Sequence, residues 1–239
     1  MKIKKKIVFI GASITQGVVS SSYVKMLKSR LGTKQYTYIN HGVAGYESYN
    51  VLKKLDRSIL TMPDFVILLA GTNDVLSSMD PKLARLSIKL KGIPHEPVLS
   101  HYSRNITDIV RRLKKETGAK IAVASLPVLG ENLDSTENIT IAKYNAELKK
   151  ITGRENVEYL PVHEKQREFL MKEVEGKGKD YIRDTRMAFR SLVSHYLFFR
   201  SFDGISRKNG FVLLTDGIHM NSKGAAYIAD EIEDFIFAS

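Results

Sequence analysis

The chain has 239 residues, a length that suits one large domain better than two, and a single domain over 1–239 is expected. It has no cysteine, which excludes disulfides, thiolate metal ligands and a cysteine nucleophile; 43% hydrophobic and 26% charged residues exclude a disordered chain. The formal net charge of +11 bears on partners and solubility, not on fold: nucleic acid, an anionic membrane face or an acidic substrate can use it, and so can a plain solvated surface.

In chain order, Met1-Lys-Ile-Lys-Lys-Lys6 has the charge of a signal peptide, but only Ile7 to Ile10 of apolar sequence stands behind it. That is too little for a secretory segment, so a mature cytoplasmic amino terminus is expected. Ile7–Ile10 reads as a buried strand, followed by a helix over about Ser21–Leu31. Tyr36–Asn40 reads as a second strand and Ser48–Leu60 as helical. The clearest strand is Phe65–Ala70, introduced by Pro63-Asp64; its apolar run is far short of the ~20 residues of a membrane span. A basic amphipathic helix follows over about Tyr102–Thr117, closed by Gly118, then a strand at Lys120–Ser125. Asn138–Ile151 reads as helix and Val157–Leu160 as a fifth strand.

From about Glu164 to Asn209 there is no strand signal. Two helical stretches joined at Glu175-Gly-Lys-Gly-Lys179 read as a helical insertion at about 164–209. The alternation resumes with Phe211–Leu214 and a last helix over about Ser222–Phe237. Apolar strands separated by helices imply an α/β fold with a parallel sheet covered on both faces. Ligands of such sheets gather outside the carboxyl ends of the strands.

Those ends carry the reactive residues. Gly11-Ala-Ser-Ile-Thr-Gln-Gly17 is not a phosphate loop, a dinucleotide fingerprint or a G-x-S-x-G elbow. It places Ser13 three residues past a buried strand, where a serine is either a helix cap or an exposed hydroxyl. Gly45 follows the second strand, either as a turn residue or with an open N–H. Asn73 in Gly71-Thr-Asn-Asp74 follows the third, either as a cap or as a donor into the crevice. Asp216-Gly-Ile-His219 precedes the last helix, with Asp and His spaced so that the carboxylate can hold Nδ1–H and leave Nε2 as a base. Together they make a nucleophile, an oriented base and oxyanion donors. His41 lies near the proposed site and reads as structural or as a support to the site's residues, and His95, His101, His163 and His195 show no metal-ligand spacing.

Gly11-Ala-Ser-Ile-Thr15, Gly45, Gly71-Thr-Asn-Asp74 and Asp216-Gly-Ile-His219 resemble, in order, the four blocks of the SGNH hydrolases, or GDSL esterases/lipases. The resemblance covers roughly 5–160 and 211–238. It implies a three-layer α/β/α sandwich around a five-stranded parallel sheet, flavodoxin-like, and a serine esterase without metal or organic cofactor. It further implies Ser13 as nucleophile, His219 as base, Asp216 as its orienter, and the Ser13 N–H, Gly45 N–H and Asn73 side chain as the oxyanion hole. The chain departs from the family in having Ala12 where an Asp usually precedes the serine, and in the insertion, which compact members lack.

Between Lys177 and Lys208 eight basic residues stand against three acidic ones. Ile182, Phe189, Leu192, Val193, Tyr196 and Phe199 recur at helical spacing. They suit a face packed on the sheet, a lid or interfacial helix meeting an anionic substrate or membrane, or a dimer surface. The expected partner is a small acyl ester of a carbohydrate or lipid-like alcohol, not nucleic acid. The alternatives are an acyltransferase of the same fold, in which a sugar hydroxyl replaces water, and a non-catalytic module that binds anionic surfaces.

Overall fold

The computed structural model describes residues 3–182 and 185–238. β1 (Lys5–Gly11) leads through the single turn α1 (Ser13–Gln16) and α2 (Tyr23–Leu31) to β2 (Tyr36–Gly42). Then come α3 (Ser48–Lys53), α4 (Asp56–Ile59), β3 (Phe65–Leu69), α5 (Thr72–Met79), α6 (Pro81–Lys91) and α7 (Leu99–Glu116). β4 (Lys120–Ala124), α8 (Thr136–Glu155) and β5 (Glu158–Leu160) follow, and the chain ends with α9 (Val162–Val174), α10 (Thr185–Tyr196), α11 (Phe202–Asn209) and α12 (Ser222–Ala238).

The strands form one five-stranded, all-parallel sheet in the order β2-β1-β3-β4-β5, the flavodoxin-like arrangement. Because side chains alternate along a strand, each strand serves both faces. Ile7, Phe9, Phe65 and Ile67 join the core under α2, α9 and α12, while Val8, Ile10, Val66 and Leu68 join the core under α3, α7 and α8. α7 shows why a basic stretch still makes a buried helix: Tyr102, Ile106, Ile109, Val110 and Leu113 fall on one face, and Arg111, Lys114 and Lys115 stay outside. Arg30 on α2 pairs with Asp230 and Glu233 on α12, at 2.7 and 3.0 Å. Among the described residues no helix is long and apolar enough to cross a membrane.

The structure departs from the sequence reading in several places. The helix expected over 48–60 is broken into α3 and α4, because Lys54 leaves helical geometry at φ −109, ψ 13. α1, α5 and α6 occupy sequence not read as helical, although Asp80-Pro81 is a strong start signal: the Asp80 carboxylate accepts from the Lys82 N–H at 2.8 Å, with proline at the first helical position. Phe211–Leu214 adds no strand to the sheet. The Val212, Leu213 and Leu214 amides donate to the Glu131 carboxylate, and Leu214 makes only an isolated antiparallel bridge with Met220.

The 164–209 stretch carries three helices, not two. α9 buries Val162, Gln166 and Leu170 and packs with α12, whereas α10 and α11 pack on each other. Of the three readings of the apolar set in this stretch, a face packed on the sheet does not fit, since Ile182, Phe189, Tyr196 and Phe199 are exposed. Arg183 and Asp184, two of the charges counted in the basic stretch, lie outside the described residues.

Candidate active site

β1, β2 and β3 are neighbours in the sheet, so the loops at their carboxyl ends bring Ser13, Gly45 and Asn73 to one edge. At the end of β1, Gly11 has no room for a side chain: a Cβ would stand 2.3 Å from both the Leu69 carbonyl oxygen and Thr15 Oγ1. The chain turns at Ala12 and starts α1 at Ser13. Asn40 holds that turn from β2, its Nδ2 donating to the Thr15 carbonyl at 2.7 Å and its Oδ1 accepting from the Gly42 N–H at 2.9 Å. The Tyr23 hydroxyl donates to Thr15 Oγ1 at 3.0 Å. Thr15 is therefore the fixed residue of the turn, and Ser13 stays partly open to solvent.

The loop before α12 supplies the other two groups. Asp216 is 3% exposed; its Oδ1 accepts from the Ile218 and His219 amides at 3.0 and 2.8 Å, and its Oδ2 lies 2.7 Å from His219 Nδ1. Burial pushes the Asp216 carboxyl up, but the adjacent His219 ring and these hydrogen bonds outweigh it and hold the carboxyl below its ordinary value. An ionised Asp216 accepts the Nδ1 proton, which leaves Nε2 as an acceptor, 2.9 Å from Ser13 Oγ. The His219 carbonyl is held by the Thr215 N–H at 2.7 Å and the Thr215 hydroxyl at 3.1 Å.

Three groups able to donate stand at this edge. Ser13 begins a helix, so its N–H has no intrahelical acceptor. Gly45 has φ 77, and a Cβ there would meet nothing within 4 Å, so backbone conformation and not crowding calls for glycine. Asn73 Nδ2 donates one proton to the Tyr46 carbonyl at 2.8 Å, which anchors the amide and leaves its second N–H.

Several residues that shape this edge were not legible in the sequence. Glu131, 1% exposed, takes the amides of Val212, Leu213 and Leu214 at 2.7–3.0 Å and so carries the strand-like segment leading to Asp216. Burial raises its carboxyl above the ordinary value despite these bonds. Its only signal was a lone acid shortly after the apolar run that ends at Leu129. Behind Asn73, the buried Asp74 accepts from the Ser48 hydroxyl and, at 2.9 Å, from the Ser48 N–H, while Asn105 Nδ2 donates to Ser48 Oγ at 3.0 Å. Burial, aided by the nearby Glu47 and opposed by the Ser48 bonds, lifts Asp74 to about 7. This network ties the start of α5 to the 43–48 loop. His41 is engaged elsewhere, its Nδ1 2.8 Å from Ser58 Oγ.

A family model for the GDSL-like lipase/acylhydrolase family matches residues 9–227. No curated protein matches the sequence. Among solved structures, an acetyl xylan esterase is similar with TM-score 0.68 and 20% identity, over 97% of this chain and 99% of that one. An acetylxylan esterase from Geobacillus stearothermophilus is similar with TM-score 0.67 and 18% identity, over 99% and 96%. An alpha/beta hydrolase enzyme from the metagenome of Lake Arreo, Spain, is similar with TM-score 0.66 and 16% identity, over 98% and 95%. With its sheet order, the continuous family match and these shared folds, the chain belongs to the GDSL-like lipase/acylhydrolase family and is an ester hydrolase.

Proposed function

We propose that the protein hydrolyses short-chain acyl esters, acetyl esters foremost, of a carbohydrate or similar alcohol, through an acyl-enzyme on Ser13. The observation that carries this reading is the continuous chain from Asp216 Oδ2 through both His219 nitrogens to Ser13 Oγ, with spacings of 2.7 and 2.9 Å. The acetyl and sugar parts are supported by the two structural neighbours named as acetylxylan esterases.

His219 Nε2 takes the Ser13 proton as Oγ attacks the ester carbonyl, and the imidazolium is stabilised by Asp216. The tetrahedral oxyanion is met by the Ser13 and Gly45 amides and the free Asn73 N–H. His219 returns the proton to the departing alkoxide, then takes one from water, which attacks the acyl carbon and releases the acid and Ser13.

The test is hydrolysis of p-nitrophenyl acetate, butyrate and octanoate, and of acetylated xylo-oligosaccharide, by wild type and Ser13→Ala. Wild type should prefer acetate, and Ser13→Ala should retain only the residual turnover that positioning and oxyanion donors give. Undiminished turnover by Ser13→Ala would remove Ser13 as nucleophile. A preference for octanoate would replace the acetyl-sugar assignment with a lipid one. Acetate transferred to an added sugar in place of released acid would mark an acyltransferase.

A further inference from the structure

Away from Ser13, a cleft of about 190 Å³ opens between α10 and α11. Its lining follows helical spacing on both sides: Met187, Arg190, Ser191 and Ser194 from α10, Ile205, Lys208 and Asn209 from α11, with Arg200 from the connecting turn, so that polar groups stand beside two apolar ones. Among the described residues no acidic side chain lines it. Among the same residues Arg190, Arg200 and Lys208 make no ion pair, although the chain pairs other basic residues, such as Arg30 and Arg112. Three exposed cations around one small space repel one another, to an extent that solvent reduces, and an anion between them relieves that repulsion.

A second observation is independent of charge. Ser191 is 2% exposed, and its buried hydroxyl has no hydrogen-bond partner. A buried hydroxyl left unpaired costs free energy, so such a group in a cleft wall calls for a ligand that supplies the missing partner. The volume is below the roughly 300–1,000 Å³ of sites for drug-sized molecules and suits a small head group. Two arginine forks, one ammonium and hydroxyl donors match a group with several acceptor oxygens and close to two negative charges, better than a single carboxylate.

We propose that this cleft binds a phosphoryl group. The binding does not depend on the esterase reading, since none of its residues belongs to the Ser13–His219–Asp216 chain. The cleft is nonetheless joined to that region at two points. Tyr196 of α10 donates to the Val18 carbonyl at 2.8 Å, in the loop after α1, and Asn209 Nδ2 donates to the Thr215 carbonyl at 2.7 Å, next to Asp216.

Calorimetric titration of the full chain with inorganic phosphate, with glycerol 3-phosphate, and with phosphatidylcholine vesicles lacking or containing phosphatidic acid tests the proposal. Saturable binding is expected, weakened about tenfold or more in the Arg190→Ala/Lys208→Ala double variant, whose exposed sites should leave its thermal midpoint close to wild type. Binding of the soluble ligands assigns the cleft to a free phosphate or phosphomonoester; binding confined to the phosphatidic acid vesicles assigns it to a lipid head group. No saturable binding in any arm, equal affinity in the double variant, or equal heat from chloride at matched ionic strength overturns it.

Discussion

Ser13 is reachable because its neighbours are not: Gly11 lets the turn close against β3, Thr15 is clamped by Asn40 and Tyr23, and the serine between them keeps its hydroxyl at the surface. The departure at Ala12 leaves this geometry standing, since its carbonyl still accepts from the Gln16 N–H at 2.9 Å. Asn73 is the side chain whose proposed part in catalysis is most directly measurable. One of its amide protons is spent on Tyr46, so truncation removes both an anchored amide and the donor it presents. Asn73→Ala should lower kcat by about 10²–10³-fold, with little change in KM, because an oxyanion bond forms mainly in the transition state. Steady-state kinetics on p-nitrophenyl acetate checks this, and an unchanged kcat would take Asn73 out of the oxyanion role. The serine, the Asp-x-x-His spacing and this asparagine were visible in the sequence since each stands at the end of a strong strand or just before a strong helix.

At the level of elements, the segment carrying Asp216 and His219 is held by a side chain from elsewhere in the chain. Val212, Leu213 and Leu214 have the composition of a strand but no neighbouring strand to pair with, and their amides end on Glu131. Glu131→Ala leaves these three donors without an acceptor, at about 1–3 kcal/mol for each that stays buried. The thermal midpoint should fall by roughly 6 °C or more, given about 2–4 °C per kcal/mol in a chain of this size. Glu131→Gln, which keeps one carbonyl oxygen, should lose less, and kcat should recover in the same order. An unchanged midpoint in Glu131→Ala would show that the segment holds its shape unaided. The strand expected at 211–214 failed for this reason: β-like composition records burial, while pairing depends on what lies alongside. α5 and α6 were missed because α5 is short, with only Val75, Leu76 and Met79 apolar, and because Leu86, Ile88 and Leu90 of α6 alternate as they would along a strand, so that only Asp80-Pro81 announces a helix.

Across the whole molecule, stability against pH is set by buried groups whose effects oppose. Asp74 rises to about 7 in the fold from an ordinary value of 3.8, so the native state binds the extra proton between those values. Its contribution is complete below about 4 and is lost as pH climbs through about 7. His163, buried and lowered from 6.5 to about 4, does the reverse: its native state sheds a proton that the unfolded chain keeps, so stability is recovered as pH rises from about 4 to 6.5. Wild type therefore masks both slopes. Relative to wild type, Asp74→Asn should gain stability steadily from about pH 4 to about pH 7, measured as the difference in thermal midpoint between the two proteins. A difference that stays flat over that window would show that Asp74 titrates at its ordinary value.

The same division holds for what the residue order settles and what needs the fold. Five β-branched runs between helical patterns are enough to specify a parallel α/β sheet, since strand and helix periods are local properties and right-handed crossovers leave few ways to join them. The four short blocks, three at the carboxyl ends of strands and the fourth ahead of the last helix, were local as well, and so were the candidate residues they name. The rest depends on distance in space. That Asn40, Glu131, Asp74 and Asn105 are hydrogen-bonding partners inside the fold, and that Arg190, Arg200 and Lys208 share one cleft, follows from contacts between segments far apart or from helix faces brought together. Neither composition nor spacing records these, because the cost of burying a polar group, and the partner that offsets it, exist only once the chain has closed around both.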